Sequence, residues 1–469
     1  MFGLDLMIFL AIVIAGYMAW NIGANDVANA MGTSVGSKAL TLRNAIIIAA
    51  VFEFLGAFFA GDAVTDTVRK GVLVISEEEM EMLSTELYYG FIAAMLAAAL
   101  WITLATRYGL PVSTTHCIVG GIVGIGIFID PDMIDYTKVG QIVISWIASP
   151  LLGGVLAYGT FYIIKTMILD TEDPIERSRW MAPILALPTF FVLSLALQFK
   201  ALKYVLPGSW LPSNDCAEGL GFIDSLGPCL PANSLMTALV LALFCSTILY
   251  AILRKYEFEE TGYLGVETIF VWLQVITACY VAFAHGANDR SNAIGPMAAV
   301  WQVFKVGSLG PEAEVPLWLV LLGSFGIVIG ITTWGYRVMK TIGEKITRIT
   351  PTRGFAAQFA AATIVLIFSM PFLAIPISTT HTLVGSVVGV GLAGGASSVD
   401  FRVFGKIAAS WVASIPAAGF GAMILYAIFG LDETRFIVSV LIIMSAILWL
   451  LYHSIRTGPK VEIEVGNGE

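Results

Sequence analysis

The chain has 469 residues, 58% of them hydrophobic and 13% charged, with a mean hydropathy of +0.85. A set of soluble domains with this composition would leave too much apolar surface in water, so that class is excluded. The formal net charge of -9 argues against nucleic acid as a partner and says little about a buried site, where only the local field matters.

In chain order, the first apolar stretch is Met1 to Ala19, which has no basic leading region or small-residue cleavage site and reads as a first membrane helix rather than a cleaved signal. Runs long enough to cross about 30 Å of hydrocarbon then recur at 42–61, 88–105, 141–164, 181–199, 232–252, 266–284, 316–336, 355–375, 407–428 and 436–453. They are continuous rather than alternating, which excludes a transmembrane β-barrel. Segments 110–129 and 377–395 are either further spans or hairpin arms. The expectation is an all-α polytopic membrane protein with about twelve transmembrane helices and with broken helices or re-entrant segments at a central site.

The sequence repeats itself at a long spacing. Gly23-Ala24-Asn25-Asp26, with Asn29 three residues after the Asp, returns as Gly286-Ala287-Asn288-Asp289 with Asn292. Pro111-Val112-Ser113-Thr114-Thr115-His116 returns as Pro376-Ile377-Ser378-Thr379-Thr380-His381, and Ser145-Trp146 returns as Ser410-Trp411. The order is preserved at offsets of about 265 residues. Residues 1–168 form one copy, 169–265 a two-helix connection, 266–430 the second copy, and 431–469 a final membrane helix with a polar tail.

Flanking charge orients the copies. The joint 69–86 carries Glu77, Glu78, Glu79, Glu81 and Glu86, whereas 337–353 carries Arg337, Lys340, Lys345, Arg348 and Arg353. Basic loops stay cytoplasmic, so 337–353 is expected inside, 69–86 outside, and the two copies inverted. The N terminus and the loop 201–231 would then be outside. Cys216 and Cys229 in that loop would be bridged or remain two free thiols.

An Asn or Asp within a membrane span needs a compensating partner, because unpaired polarity in hydrocarbon costs several kcal/mol, about 2–7 for a neutral group. Asn25, Asp26, Asn29, Asn288, Asp289 and Asn292 are either glue between helices or hard oxygen ligands for sodium. The glycines before each Asn-Asp pair permit a turn or unwound segment whose carbonyls would join them. Glu53, inside an otherwise apolar helix of the first copy, would serve a cation or a gate on one side only. In the Ser-Thr-Thr blocks, proline followed by a capping hydroxyl starts a helix whose free N–H groups face the site. With Ser113, Thr114, Thr115, Ser378, Thr379 and Thr380 they make a cradle for a tetrahedral oxyanion, the alternative being ordinary helix capping. His116 and His381 would gate, take part in a proton step, or make structural hydrogen bonds. The Gln274 amide is expected to assist anion binding.

At these residues the sequence resembles the inorganic phosphate transporter family, which includes bacterial low-affinity phosphate permeases and eukaryotic sodium-phosphate symporters. The resemblance covers nearly the whole chain and rests on GANDVANAMGT at 23–33, AHGANDRSNAIGP at 284–296, and the paired PVSTTH and PISTTH blocks. The stretch Thr41 to Gly71 is similar to the sodium-coupled members. The resemblance implies inverted repeats, symport of phosphate with sodium, a homodimer in the cell membrane, and Asn25, Asp26, Asn288 and Asp289 as ion and phosphate ligands, with no cofactor beyond the coupling ions. The short 165–180 connection departs from animal members, which have a large central cytoplasmic loop there. Proton-coupled carriage of phosphate, a metal-phosphate complex or sulfate is the nearest alternative. A membrane phosphotransferase using His116 or His381 is weaker, because the chain has no HExxH, P-loop or ordered nucleophile-base set.

Overall fold

The computed structural model describes residues 2–60, 72–73, 77–202, 205–211, 230–257, 260–309, 315–369 and 377–457. Cys216, Cys229 and most of the 201–231 loop lie outside the described residues, as do 61–71 and Pro376. Helices dominate. Among the described residues eleven are long and apolar enough to cross a membrane, and two shorter apolar ones accompany them. In order they are α1 Phe2–Gly36, α2 Leu42–Ala60, α3 Ser84–Arg107, α4 Thr114–Ile129, α5 Tyr136–Ile164, α6 Pro174–Ala196, α7 Ala232–Lys255, α8 Gly262–Val306, α9 Leu317–Trp334, α10 Pro351–Ser369, α11 Thr379–Ala393, α12 Phe401–Phe429 and α13 Glu433–Thr457.

Local chemistry sets the ends of these helices. Asp135 Oδ1 accepts Lys138 N at 2.8 Å to start α5, and Asp400 Oδ1 accepts Arg402 N at 2.9 Å to start α12. Gly307, with φ of 79°, and Gly430, with φ of 59°, end α8 and α12 in the left-handed conformation that glycine adopts without strain.

Two helical hairpins take the place of four separate crossings. α8 has 45 residues, about 65 Å at 1.5 Å each, so its ends lie on opposite faces of the bundle. Just beyond its C-terminal end, Leu309 N donates to Ser84 Oγ at the base of α3, and the return helix α4 ends on the same face, where Ile134 bridges Leu73. At its N-terminal end, Glu267 accepts Thr352 N at 2.8 Å at the base of α10, and α11 returns to that face, where Thr347 bridges Val399. The α3–α4 and α10–α11 hairpins therefore enter from opposite faces. Their tips meet, with Thr380 Oγ1 donating to Val112 O at 3.2 Å. Segments 110–129 and 377–395 are therefore hairpin arms rather than further spans.

One expectation fails. α1 and α8 run as continuous helices through their Gly-Ala-Asn-Asp motifs, with no turn or unwound segment there. The glycines serve close approach instead. A Cβ on Gly23 would stand 1.9 Å from Ile327 O of α9, and one on Gly286 would stand 2.1 Å from Glu53 O of α2. Each contact joins a helix of one copy to a helix of the other, as do Gly124 with Gly419 and Gly389 with Gly154. The two copies are interwoven around one core.

Candidate functional site

The hairpin tips and the middles of α1 and α8 enclose a buried polar cluster. Asp26 and Asp289 are each 1% exposed. Ser113 Oγ accepts His116 N at 3.2 Å and Ser378 Oγ accepts His381 N at 3.1 Å, so both serines cap their helices. This brings the first-turn hydroxyls of α4 and α11 to the Asn-Asp motifs.

The hydrogen bonds cross between copies. Asn29 of α1 donates to Thr380 Oγ1 at 2.9 Å and to Thr379 Oγ1 at 3.3 Å, both on the second hairpin. Asn292 of α8 donates to Thr114 Oγ1 at 3.2 Å and Thr115 Oγ1 at 3.3 Å on the first. Asp26 Oδ2 accepts Thr114 Oγ1 at 2.8 Å, and Asp289 Oδ2 accepts Thr379 Oγ1 at 3.2 Å. Asn288 donates to Asp289 Oδ1 at 2.8 Å. Asn25 instead braces the first hairpin, donating to Thr106 Oγ1 at 2.8 Å and accepting Val112 N at 3.1 Å.

His285 joins the cluster although no role was expected for it. Its Nδ1 lies 3.0 Å from Glu53 Oε2, and its Nε2 lies 2.6 Å from Asp289 Oδ2 and 3.7 Å from Asp26 Oδ2. Ligand atoms of Asp26, His285 and Asp289 lie within 4.8 Å of one another, a spacing that can hold a metal ion. Glu53 thus joins the cluster through His285. Asn29 Oδ1 and Glu53 Oε1 are buried acceptors with no hydrogen-bond partner among the described residues, which suits a cationic ligand. The signal for His285 was its position directly before Gly286 in the second motif, where copy one has Ile22. Next to Asp289, Arg290 is fully buried and donates to Ala57 O at 2.5 Å, while copy one has Val27.

Other expected residues lie apart from this network. Gln274 Oε1 accepts Ser37 Oγ at 2.7 Å near the end of α1, eleven residues beyond Asp26, about 16 Å along the helix. His116 and His381 meet edge to face behind the caps, with ring centroids 4.2 Å apart, and His381 Nδ1 meets Trp146 O at 3.1 Å.

Chemically, the cluster offers three carboxylates, amide oxygens, hydroxyls and two helix N-termini in a dry site. Oxygen ligands suit a hard cation and the N-termini suit an anion, so the arrangement favours binding both together. Among the described residues of the cluster no nucleophile and base are paired as a hydrolytic site requires.

Comparison with known proteins agrees. The profile of the phosphate transporter family matches residues 22–422. A Pyrococcus furiosus protein named as a candidate phosphate permease is 43% identical over 423 residues, 90% of this chain and 96% of that one. The inorganic phosphate transporter 2-1, chloroplastic, of Arabidopsis thaliana is 40% identical over 441 residues, 90% of this chain and 72% of its own. A solved structure described as the sodium-dependent phosphate transporter superposes with a TM-score of 0.79 at 36% identity, over 91% of this chain and 99% of that one. These relatives are carriers rather than enzymes, and the chain is a multi-pass membrane protein belonging to the phosphate transporter family.

Proposed function

We propose that the chain carries inorganic phosphate together with sodium across the cell membrane by alternating access. The observation that carries this reading is the crossed hydrogen bonding of Asn29 and Asn292, which ties each Asn-Asp motif to the opposite hairpin and gathers acids and hydroxyls at one place. Phosphate alone would meet Asp26 and Asp289. At about 4 Å and an effective dielectric of about 20, each like-charge pair costs on the order of 4 kcal/mol. A sodium ion among the same oxygens offsets a comparable amount, so the two ligands bind together. The proline-started α4 and α11 present their N-termini to phosphate, while Asn29, Asp26, Asn292 and Asp289 supply oxygens to sodium. The sodium-dependent character in the name of the structural relative supports this assignment.

The basic charge of 337–353 supports a reading with that face inside and the N terminus outside. A homodimer accompanies this reading, from the family resemblance. One observation favours a second reading: His285 lies between Glu53 and two aspartates, and a proton on it would do part of the charge compensation assigned to sodium. Titrating the purified protein with phosphate in sodium or in choline at equal ionic strength separates them. Binding weakened by a hundredfold or more without sodium, which is about 2.7 kcal/mol or more, is the expected result. Equal binding in both salts contradicts sodium coupling.

A further inference from the structure

Behind the hairpin tips, between α5, α11 and α12, lies a groove of about 700 Å³ with no charged side chain in its lining. That volume is within the range of about 300–1,000 Å³ that holds small ligands. Its floor is a row of four rings in contact, Trp146, His116, His381 and Trp411, with centroids 3.7, 4.2 and 3.8 Å apart, the two histidines meeting edge to face. Nε2 of both histidines is buried and has no hydrogen-bond partner among the described residues.

The groove opens away from the polar cluster. At its mouth Ile147, Leu151 and Val155 of α5 and Val412 of α12 are 62, 64, 72 and 74% exposed. Both helices are long and apolar enough to cross the membrane, so the surrounding medium at the mouth is hydrocarbon. The lining positions Leu151, Val155 and Tyr158 of α5 continue at helical spacing to Tyr162 and then Lys165, where the α-helix ends. Tyr158 and Tyr162 stack at 6.3 Å. Aromatic rings followed by a basic residue at the end of a spanning helix mark the headgroup level of a bilayer.

We infer that this groove is a lipid site: one acyl chain of an anionic glycerophospholipid lies along α5 and α12, its end toward the His116–His381 pair and its phosphate at Lys165. The inference does not depend on which ion is transported. An unfilled groove forfeits dispersion contacts along its whole lining, and a flexible chain supplied by the bilayer fills it. A protein face from a second copy would have to cover Lys165, whereas a phosphodiester complements it. The consequence reaches the site: His116 and His381 stand three residues after the caps Ser113 and Ser378, so the chain end braces the helix starts that carry the threonines.

The test uses the full-length protein. Reconstituted with phosphatidylglycerol bearing a photoreactive group in the acyl chain, the wild type should label mainly in peptides 143–158, 385–392 and 404–415. Labelling spread equally over α7 and α13 overturns the site. Native mass spectrometry should find a retained phosphatidylglycerol that Ala408→Phe, which fills the groove, removes. Retention unchanged in a folded variant overturns it, as does loss of dimer with lipid content unchanged, which makes the groove an interface between copies. Lys165→Gln should keep the lipid but lose the preference for anionic over zwitterionic headgroups. An unchanged preference overturns the placement of the phosphate. If Ala408→Phe fails to fold, the labelling of the wild type decides.

Discussion

Asn29 on α1 donates to Thr380 Oγ1 on the second hairpin at 2.9 Å, a bond between residues 351 positions apart that joins the two halves of the chain at the polar cluster. Truncating the amide leaves a buried hydroxyl without this partner, a cost of about 1–3 kcal/mol. Asn29→Ala should therefore lower phosphate uptake by about tenfold or more. The mirror variant Asn292→Ala should do the same through Thr114 and Thr115. A double-mutant cycle of Asn29→Ala with Thr380→Val, read as phosphate affinity, should show clear non-additivity. Additive effects would separate the two residues functionally.

Asp26 and Asp289 supply most of the negative charge beside the crossed threonines. Asp26→Ala and Asp289→Ala should each abolish uptake while the protein still reaches the membrane, as measured by labelled phosphate in proteoliposomes with protein quantified per vesicle. Normal sodium-dependent transport by both variants would remove them from the site.

Glu53 and His285 form a fully buried pair at 3.0 Å. Removing one partner of such a pair costs about 3–5 kcal/mol because the other is left uncompensated. Glu53→Gln should lower the thermal midpoint in detergent, and adding His285→Gln should recover part of that loss. A double variant less stable than either single one contradicts the pairing.

Helix contact at Gly286 admits no side chain, since a Cβ there would stand 2.1 Å from Glu53 O, whereas Gly159 has nothing within 4 Å of the same position. Gly286→Ala should destabilise by about 1–3 kcal/mol or more. Gly159→Ala, in the exterior of α5, should be neutral or stabilising by up to about 1 kcal/mol. Thermal unfolding of the two variants checks the contrast.

Much of this architecture was legible in the sequence because it is duplicated. The repeated Ser-Thr-Thr-His blocks, each after a proline, announced two equivalent helix starts. Hydropathy alone left 110–129 and 377–395 undecided, because a returning hairpin arm is as apolar as a spanning helix. The glycines before Asn25 and Asn288 suggested unwinding, yet the same lack of a side chain permits helix contact, and only the packing of α9 and α2 decides between them. The pairing of His285 was out of reach for a different reason: its partner Glu53 is 232 residues away, and nothing local ties them. Gln274 lies on the expected helix but nearly three turns too far from the cluster for its amide to join it.

The most direct test of the central claim is labelled phosphate uptake into liposomes holding the pure protein, first with an inward sodium gradient at equal pH and then with an inward proton gradient in the absence of sodium. Accumulation is expected with sodium and none with protons alone. Accumulation driven by protons without sodium would contradict it and transfer the coupling to the His285 network.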